Sequence, residues 1–144
     1  MFDQEGIIDH ILELEQAILD WERYQEITLE ELKKDRDKKN MVLHVLLISI
    51  QATIDIANHL IAAQKLTRPL TYRESFEILS DAKLIPSPLA NQLADLAGFR
   101  NLLVHIYWRL DIENVHKIIQ NDLIFVKKYL TLIKSLIKGK EKNH

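Results

Sequence analysis

A chain of 144 residues that is 47% hydrophobic and 28% charged carries enough apolar side chains for one packed core and is too short for two ordinary domains, so residues 1–144 are read as a single domain. A net charge of −2 argues against a protein that coats nucleic acid indiscriminately, and the lack of cysteine excludes a disulfide framework, a thiolate metal site and a cysteine nucleophile. With three Gly and three Pro, and with Leu and Ile as the main apolar residues, little interrupts a helix, and the expected class is all-α.

Ile7, Ile11, Leu14, Ile18 and Trp21 draw one apolar stripe down a first helix from about Asp3 to Tyr24. The charged stretch Glu30 to Lys39 is left open between helix and loop. From about Asn40 to Lys65 the chain is apolar nearly all round, which predicts the central helix of a bundle, ended by Thr67-Arg68-Pro69. Thr71-Tyr72-Arg73-Glu74 has capping-box spacing and opens a short helix to about Ala82. Ser87 and Pro88 start a fourth helix, as N-cap and first helical residue, which runs to about Trp108. Asp111 caps a last helix whose stripe Ile119, Leu123, Val126, Leu130, Ile133 and Ile137 is closed by Gly139. The expected product is an up-and-down bundle of four to five helices.

The acidic start, Met1-Phe2-Asp3-Gln4-Glu5, is unlike the basic start of a secretion signal. The longest apolar stretch, Met41 to Ile50, is interrupted by His44 and falls short of the roughly 20 residues of a membrane span. A cytoplasmic protein with no membrane partner is expected. Residues 1–35 hold 11 acids and three bases, whereas residues 123–144 hold six Lys and one Glu. The basic end suits phosphates or an acidic partner, and equally a solvated face.

One stretch exceeds what a core needs: Gly98-Phe99-Arg100-Asn101-Leu102-Leu103-Val104-His105-Ile106-Tyr107-Trp108-Arg109-Leu110-Asp111. Wound at about 100° per residue, it gathers Leu96, Phe99, Leu102, Leu103, Ile106 and Leu110 on a core face and sets Arg100, Asn101, Val104, His105, Tyr107 and Trp108 opposite. Ala94, Ala97 and Gly98 on that side are small enough to admit another helix. Asn101 and His105 are four apart, so Asn101 can fix the imidazole tautomer. Arg100 lies about 140° round from His105, and a second copy of the helix across a two-fold axis supplies the missing convergence. That predicts a homodimer formed through a groove containing helix four.

Taken singly, each residue has a plainer explanation: a satisfied or surface His, a snorkelling Arg paired with Asp95, aromatic groove packing, a helix cap. Asp55 and His59, four apart on the second helix, read as a buried pair satisfying each other more readily than as ligands; no Asp/Glu/His cluster has metal-ligand spacing, and no metal or cofactor is expected.

Together the residues resemble a known signature. Arg100-Asn101-x-x-x-His105-x-Tyr107, with Leu103, Val104 and Asp111, is similar to the Arg-x4-His-x-Tyr motif of HEPN proteins in the form typical of the HepT family. The resemblance extends to Ile54-Asp55-Ile56-Ala57-Asn58-His59-Leu60-Ile61, to Pro69-x-x-Tyr72-x-Glu74-Ser75-Phe76, and to Leu89, Leu93 and Gly98. It implies a toxin ribonuclease of a type II toxin–antitoxin pair that cuts RNA without a metal, with Arg100 and His105 catalytic and Asn101 supporting. It further implies a nucleotidyltransferase antitoxin of the MNT type that transfers AMP to Tyr107. The alternative is a non-catalytic HEPN module that binds a nucleotide or protein. A purely structural dimerisation domain leaves the polar face unexplained.

Overall fold

A helix apolar on nearly every side is stable in water only when other helices surround it, and that requirement organises this fold. The protein is described by a computed structural model over residues 4–105 and 109–142. Among these residues there are seven helices and no strand: α1 (Gln4–Tyr24), α2 (Leu29–Lys34), α3 (Arg36–Ala63), α4 (Tyr72–Asp81), α5 (Ser87–His105), α6 (Ile112–Asn121) and α7 (Leu123–Lys142). The central helix α3, about 42 Å long at 1.5 Å per residue, packs against α1, α2, α4, α5 and α6. By length and composition it would cross a membrane, but most of its apolar side chains, among them Val42, Leu46, Ile50, Ile54 and Ile56, are buried inside the protein.

The all-α class is as expected, and the number of helices is higher for two reasons. First, the charged stretch is helical: the Thr28 hydroxyl accepts from Glu31 N at 3.1 Å while the Glu31 carboxylate accepts from Thr28 N at 3.2 Å, a capping box that starts α2. Asp35 then ends α2 and caps α3, accepting from Asp37 N and Lys38 N, so α3 begins four residues earlier than the apolar pattern. Second, the last helix breaks at Asn121-Asp122, residues whose side chains compete for backbone hydrogen bonds. The apolar stripe survives the break, with Ile119, Leu123, Val126, Leu130 and Ile133 all buried. Gly139 lies inside α7, which continues to Lys142.

Ends differ too. α3 stops at Ala63, well before Pro69, because Lys65 adopts a left-handed φ of 56° while Leu66 N reaches Ile61 O at 2.9 Å. Lys83, with φ 60°, closes α4 in the same way. Thr71 caps α4 by accepting from Glu74 N, but Glu74 reaches Leu70 N rather than Thr71. Pro86 O accepts from Ala90 N, which moves the start of α5 back by one residue and puts Ser87 inside the helix.

Two aromatic side chains tie helices together, Trp21 joining α1 to α6 and Tyr129 joining α7 to α3. Trp21, fully buried, donates to Ile119 O at 2.8 Å, and Tyr129, also fully buried, donates from its hydroxyl to Thr53 O at 3.1 Å. Burial pushes the Tyr129 phenol well above its ordinary pKa. The folded state therefore keeps a proton that the unfolded chain loses near pH 10. Its contribution to stability is complete below about pH 10 and falls as pH rises beyond. Tyr129→Phe is expected to lose about 1 kcal/mol at neutral pH and to weaken this alkaline fall in stability, as read from urea unfolding between pH 7 and 11.

Candidate functional site

α5 owes its placement to three neighbours. Leu89, Leu93, Leu96, Phe99 and Leu103 enter the core, Ala94 and Ala97 are 1% exposed against the rest of the bundle, and Arg73 of α4 pairs with Asp95. The small alanines therefore close packing within the chain itself. Gly98 differs: a Cβ there meets nothing within 4 Å. From Gly98 to His105 one side of the helix is bare, since Gly98, Asn101, Leu102, Val104 and His105 are all exposed. Leu102, expected in the core, is 39% exposed, because no element covers that side at the end of the helix.

Arg100 sits at the edge of this bare face, half-buried, with its guanidinium turned toward α3 and α4. Its Nε donates to Gln51 Oε1 at 3.0 Å, its Nη1 donates to Asn101 Oδ1 at 3.4 Å, and its Cζ lies 5.5 Å from the centre of the Tyr72 ring. Among the described residues no carboxylate pairs with it. Asp95, the ion-pair partner the sequence offered, is taken by Arg73.

Gln51 is held in turn. Its Nε2 donates to Asp55 Oδ1 at 2.9 Å, which fixes the amide with its oxygen toward Arg100. The other Asp55 oxygen lies 3.8 Å from His10 Nδ1, and the His10 ring meets His59 edge-on at 6.5 Å. Asp55 is thus a half-exposed member of a row running from α1 through α3 to α5, rather than half of an isolated buried pair. Sequence reasoning missed Gln51 and His10. A signal existed: Gln51, Asp55 and His59 repeat every four residues and form the polar strip on an otherwise apolar helix.

His105 projects from the last described turn of α5 and is exposed, with no hydrogen-bond partner among the described residues. The expected contact of Asn101 with His105 is not formed; Asn101 meets Arg100 instead. Tyr107 lies outside the described residues, as do Ile106 and Trp108. Among the described residues no three His, Asp or Glu side chains gather as a possible metal site.

A helical bundle that carries Arg-x4-His on the open end of an inner helix defines a domain of the HEPN type. Residues 14–133 match the family Ribonuclease HepT-like, and the chain belongs to that family. It is 33% identical over 105 residues to the mRNA nuclease HepT of Shewanella oneidensis, covering 73% of this chain and 79% of that one. Over 139 residues it is 31% identical to the tRNA nuclease HepT of Aphanizomenon flos-aquae, covering 95% of each. Its structure is similar to the tri-AMPylated Shewanella oneidensis HEPN toxin in complex with MNT antitoxin, with a TM-score of 0.82 and 30% identity over 94% of this chain and 99% of that one.

The Gln51 contact has a direct readout. An amide acceptor worth about 1 kcal/mol slows exchange of the Arg100 Nε proton with water roughly fivefold. Gln51→Ala is expected to release that proton by about this factor in side-chain NMR; unchanged exchange would show that Gln51 does not hold the guanidinium.

Proposed function

We propose that this chain is the toxin of a type II toxin–antitoxin pair, a cytoplasmic endoribonuclease that cuts RNA without a metal in a groove shared by two protomers. The observation that carries the reading is Arg100, held by an amide oxygen and an aromatic face with no carboxylate among the described residues to neutralise it, five residues from an exposed His105. Membership of a ribonuclease family, and relatives named as mRNA and tRNA nucleases, support it.

Chemically the assignment is economical. A neutral imidazole takes the proton of the ribose 2′-hydroxyl. The oxygen attacks phosphorus, the bond to the 5′-oxygen breaks, and a protonated imidazole gives that leaving oxygen its proton. The products are a 2′,3′-cyclic phosphate and a 5′-hydroxyl. Two copies of His105 facing one another supply one base and one acid, which is the chemical reason for a homodimer. The bare side of α5, with Gly98 open and Leu102 and Val104 exposed, suits the approach of a second copy. Arg100 holds the phosphate and the charge that grows in its transition state, while Asn101 supports it by occupying Nη1.

Purified protein is expected to cut RNA in EDTA and leave cyclic phosphate ends. His105→Ala and Arg100→Ala should each lower the rate at least about 100-fold with the dimer and the unfolding midpoint preserved, and Asn101→Ala should cost less. Cleavage that stops with chelator, or that persists at the wild-type rate in His105→Ala, overturns the mechanism.

The same reading gives Tyr107 the role of control point. A nucleotidyltransferase partner of the MNT type would transfer AMP to it: the phenol oxygen bonds to the α-phosphorus of ATP, pyrophosphate leaves, and the phenol proton is lost. An adenylate seven residues beyond Arg100 brings bulk and negative charge to the groove and competes for the guanidinium. The tri-AMPylated state of the similar toxin in complex with MNT antitoxin supports this assignment. After incubation with ATP and the partner, intact mass should rise by whole AMP units that map to Tyr107 as activity falls; AMP found only on other residues removes Tyr107 from the role.

A further inference from the structure

Beside Arg100, between the end of α3, the loop into α4 and the last turns of α5, lies a cleft of about 410 Å³. A second cleft of about 510 Å³ continues it along the end of α3, and the two share Asn58 and Pro69, so that together they form one trough. We infer that this trough carries single-stranded RNA away from Arg100, with Arg68 at its far end holding a second phosphate. The inference rests on the ribonuclease reading in one respect, that a first phosphate lies at Arg100.

Charge makes the case. In a chain with 21 acidic residues no Asp or Glu lines either cleft, and Arg68 is the one charged residue that does. Arg68 is exposed and pairs with no carboxylate among the described residues, whereas Arg73 in α4 is tied to Asp95. Residues 64–71 add a second exposed cation, Lys65, and no acid. Glu74, the first acid after them, turns its carboxylate to Leu70 N at 3.2 Å. The trough is therefore cationic at both ends and neutral between, so a polyanion laid along it meets attraction at each end and no repulsion on the way.

Shape and length agree. Ile61, Leu66, Pro69 and Leu70 give the trough apolar surface for the faces of bases, and Leu70 is 87% exposed with no core partner to explain it. Asn58 and Thr71 offer donors while their oxygens keep a lone pair, so either edge chemistry of a base is accepted. This is the pattern of sequence-tolerant binding, in which the backbone charge supplies affinity and side chains support whatever base arrives. The loop is set in advance: Leu66 N bonds to Ile61 O at 2.9 Å at one end, and Glu74 holds Leu70 N at the other. Gln51, which holds Arg100, and Ile61, in the far cleft, stand about 15 Å apart along α3. A stacked strand advances about 3.4 Å per nucleotide, so one nucleotide with its phosphate at Arg100 does not reach Arg68, and a strand of several does.

The test uses the intact His105→Ala protein, in which RNA is not consumed, and compares an oligouridylate of about eight nucleotides with 3′-UMP. Arg68→Ala is expected to weaken the oligonucleotide about fivefold at low salt and to lower the slope of log K against log salt by about 0.7, the share of one phosphate on a single strand. Binding of 3′-UMP should stay as it was. Arg68→Lys, which keeps the charge, should restore the slope, and Ala62→Glu, which puts an acid on an exposed position of the far cleft, should weaken the oligonucleotide and again spare 3′-UMP. An unchanged slope in Arg68→Ala, or an equal loss for 3′-UMP, overturns the trough, as does a variant that loses only the antitoxin. RNA cut by the wild-type protein with an Arg68-independent slope overturns the trough alone. Wild-type protein that leaves RNA uncut while the Arg68-dependent slope persists overturns the ribonuclease reading and leaves the trough standing.

Discussion

The rest of the structure depends on the burial of α3. Helices cover α3 on most sides, so the polar groups of its buried part find a partner inside the protein, as Thr53 does by donating to Ser49 O at 2.7 Å, or lie on a narrow strip where the packing is open; the buried Ser49 hydroxyl, without a partner, is an exception. Gln51, Asp55, Asn58 and His59 occupy such a strip, and each of the sites described above meets it. Arg100 is anchored on Gln51, and the row of polar groups reaches α1 through Asp55 and His10. The same enclosure keeps this strip rigid, because residues 52, 53, 54, 56 and 57 around it are 2% exposed or less.

How Arg100 is held matters more than that it is held. A carboxylate in direct contact would fix the guanidinium firmly and also cancel the charge that a phosphate needs. Here Asp55 stands one residue removed and acts through Gln51, whose amide transmits orientation without transmitting a full negative charge. The nearby Asp95 is occupied by Arg73. The guanidinium is therefore positioned by neutral groups, Gln51 at Nε, Asn101 at Nη1 and the Tyr72 ring against its plane.

Helix existence was legible in the sequence wherever a stripe or a run of apolar residues spoke for it: α1, the body of α3, α4, α5, and the continuous stripe through α6 and α7. Boundaries set by hydrogen bonds were harder to read. α2 and the start of α3 come from two caps, Thr28 and Asp35, in a stretch whose hydrophobic pattern is silent. The ends of α3 and α4 come from left-handed lysines, residues that do not announce such a turn as glycine does. Arg100, Asn101 and His105 stood out as residue types in excess of what a core requires. Their mutual contacts did not follow from winding one helix, because Arg100 takes its partners from α3 and α4, and no single-helix projection contains those.

The end of α5 is where local and global preferences part. Up to Phe99 each residue of the helix agrees with the binary pattern of a core helix, and beyond it Leu102 and Val104 face outward beside Asn101 and His105. Gly98, which costs about 1 kcal/mol in a helix relative to alanine, stands where a side chain would touch nothing in this protomer. A protomer selected for its own stability alone gains nothing from these three choices. They become consistent only if something else lies against that face, and the smooth path opened by glycine beside two apolar side chains fits a close-packed helix better than a charged strand. On the proposed reading the dimer and the chemistry share one origin: the surface that would take a second copy is the surface that carries His105, so a groove shared by two chains would form only once they had met.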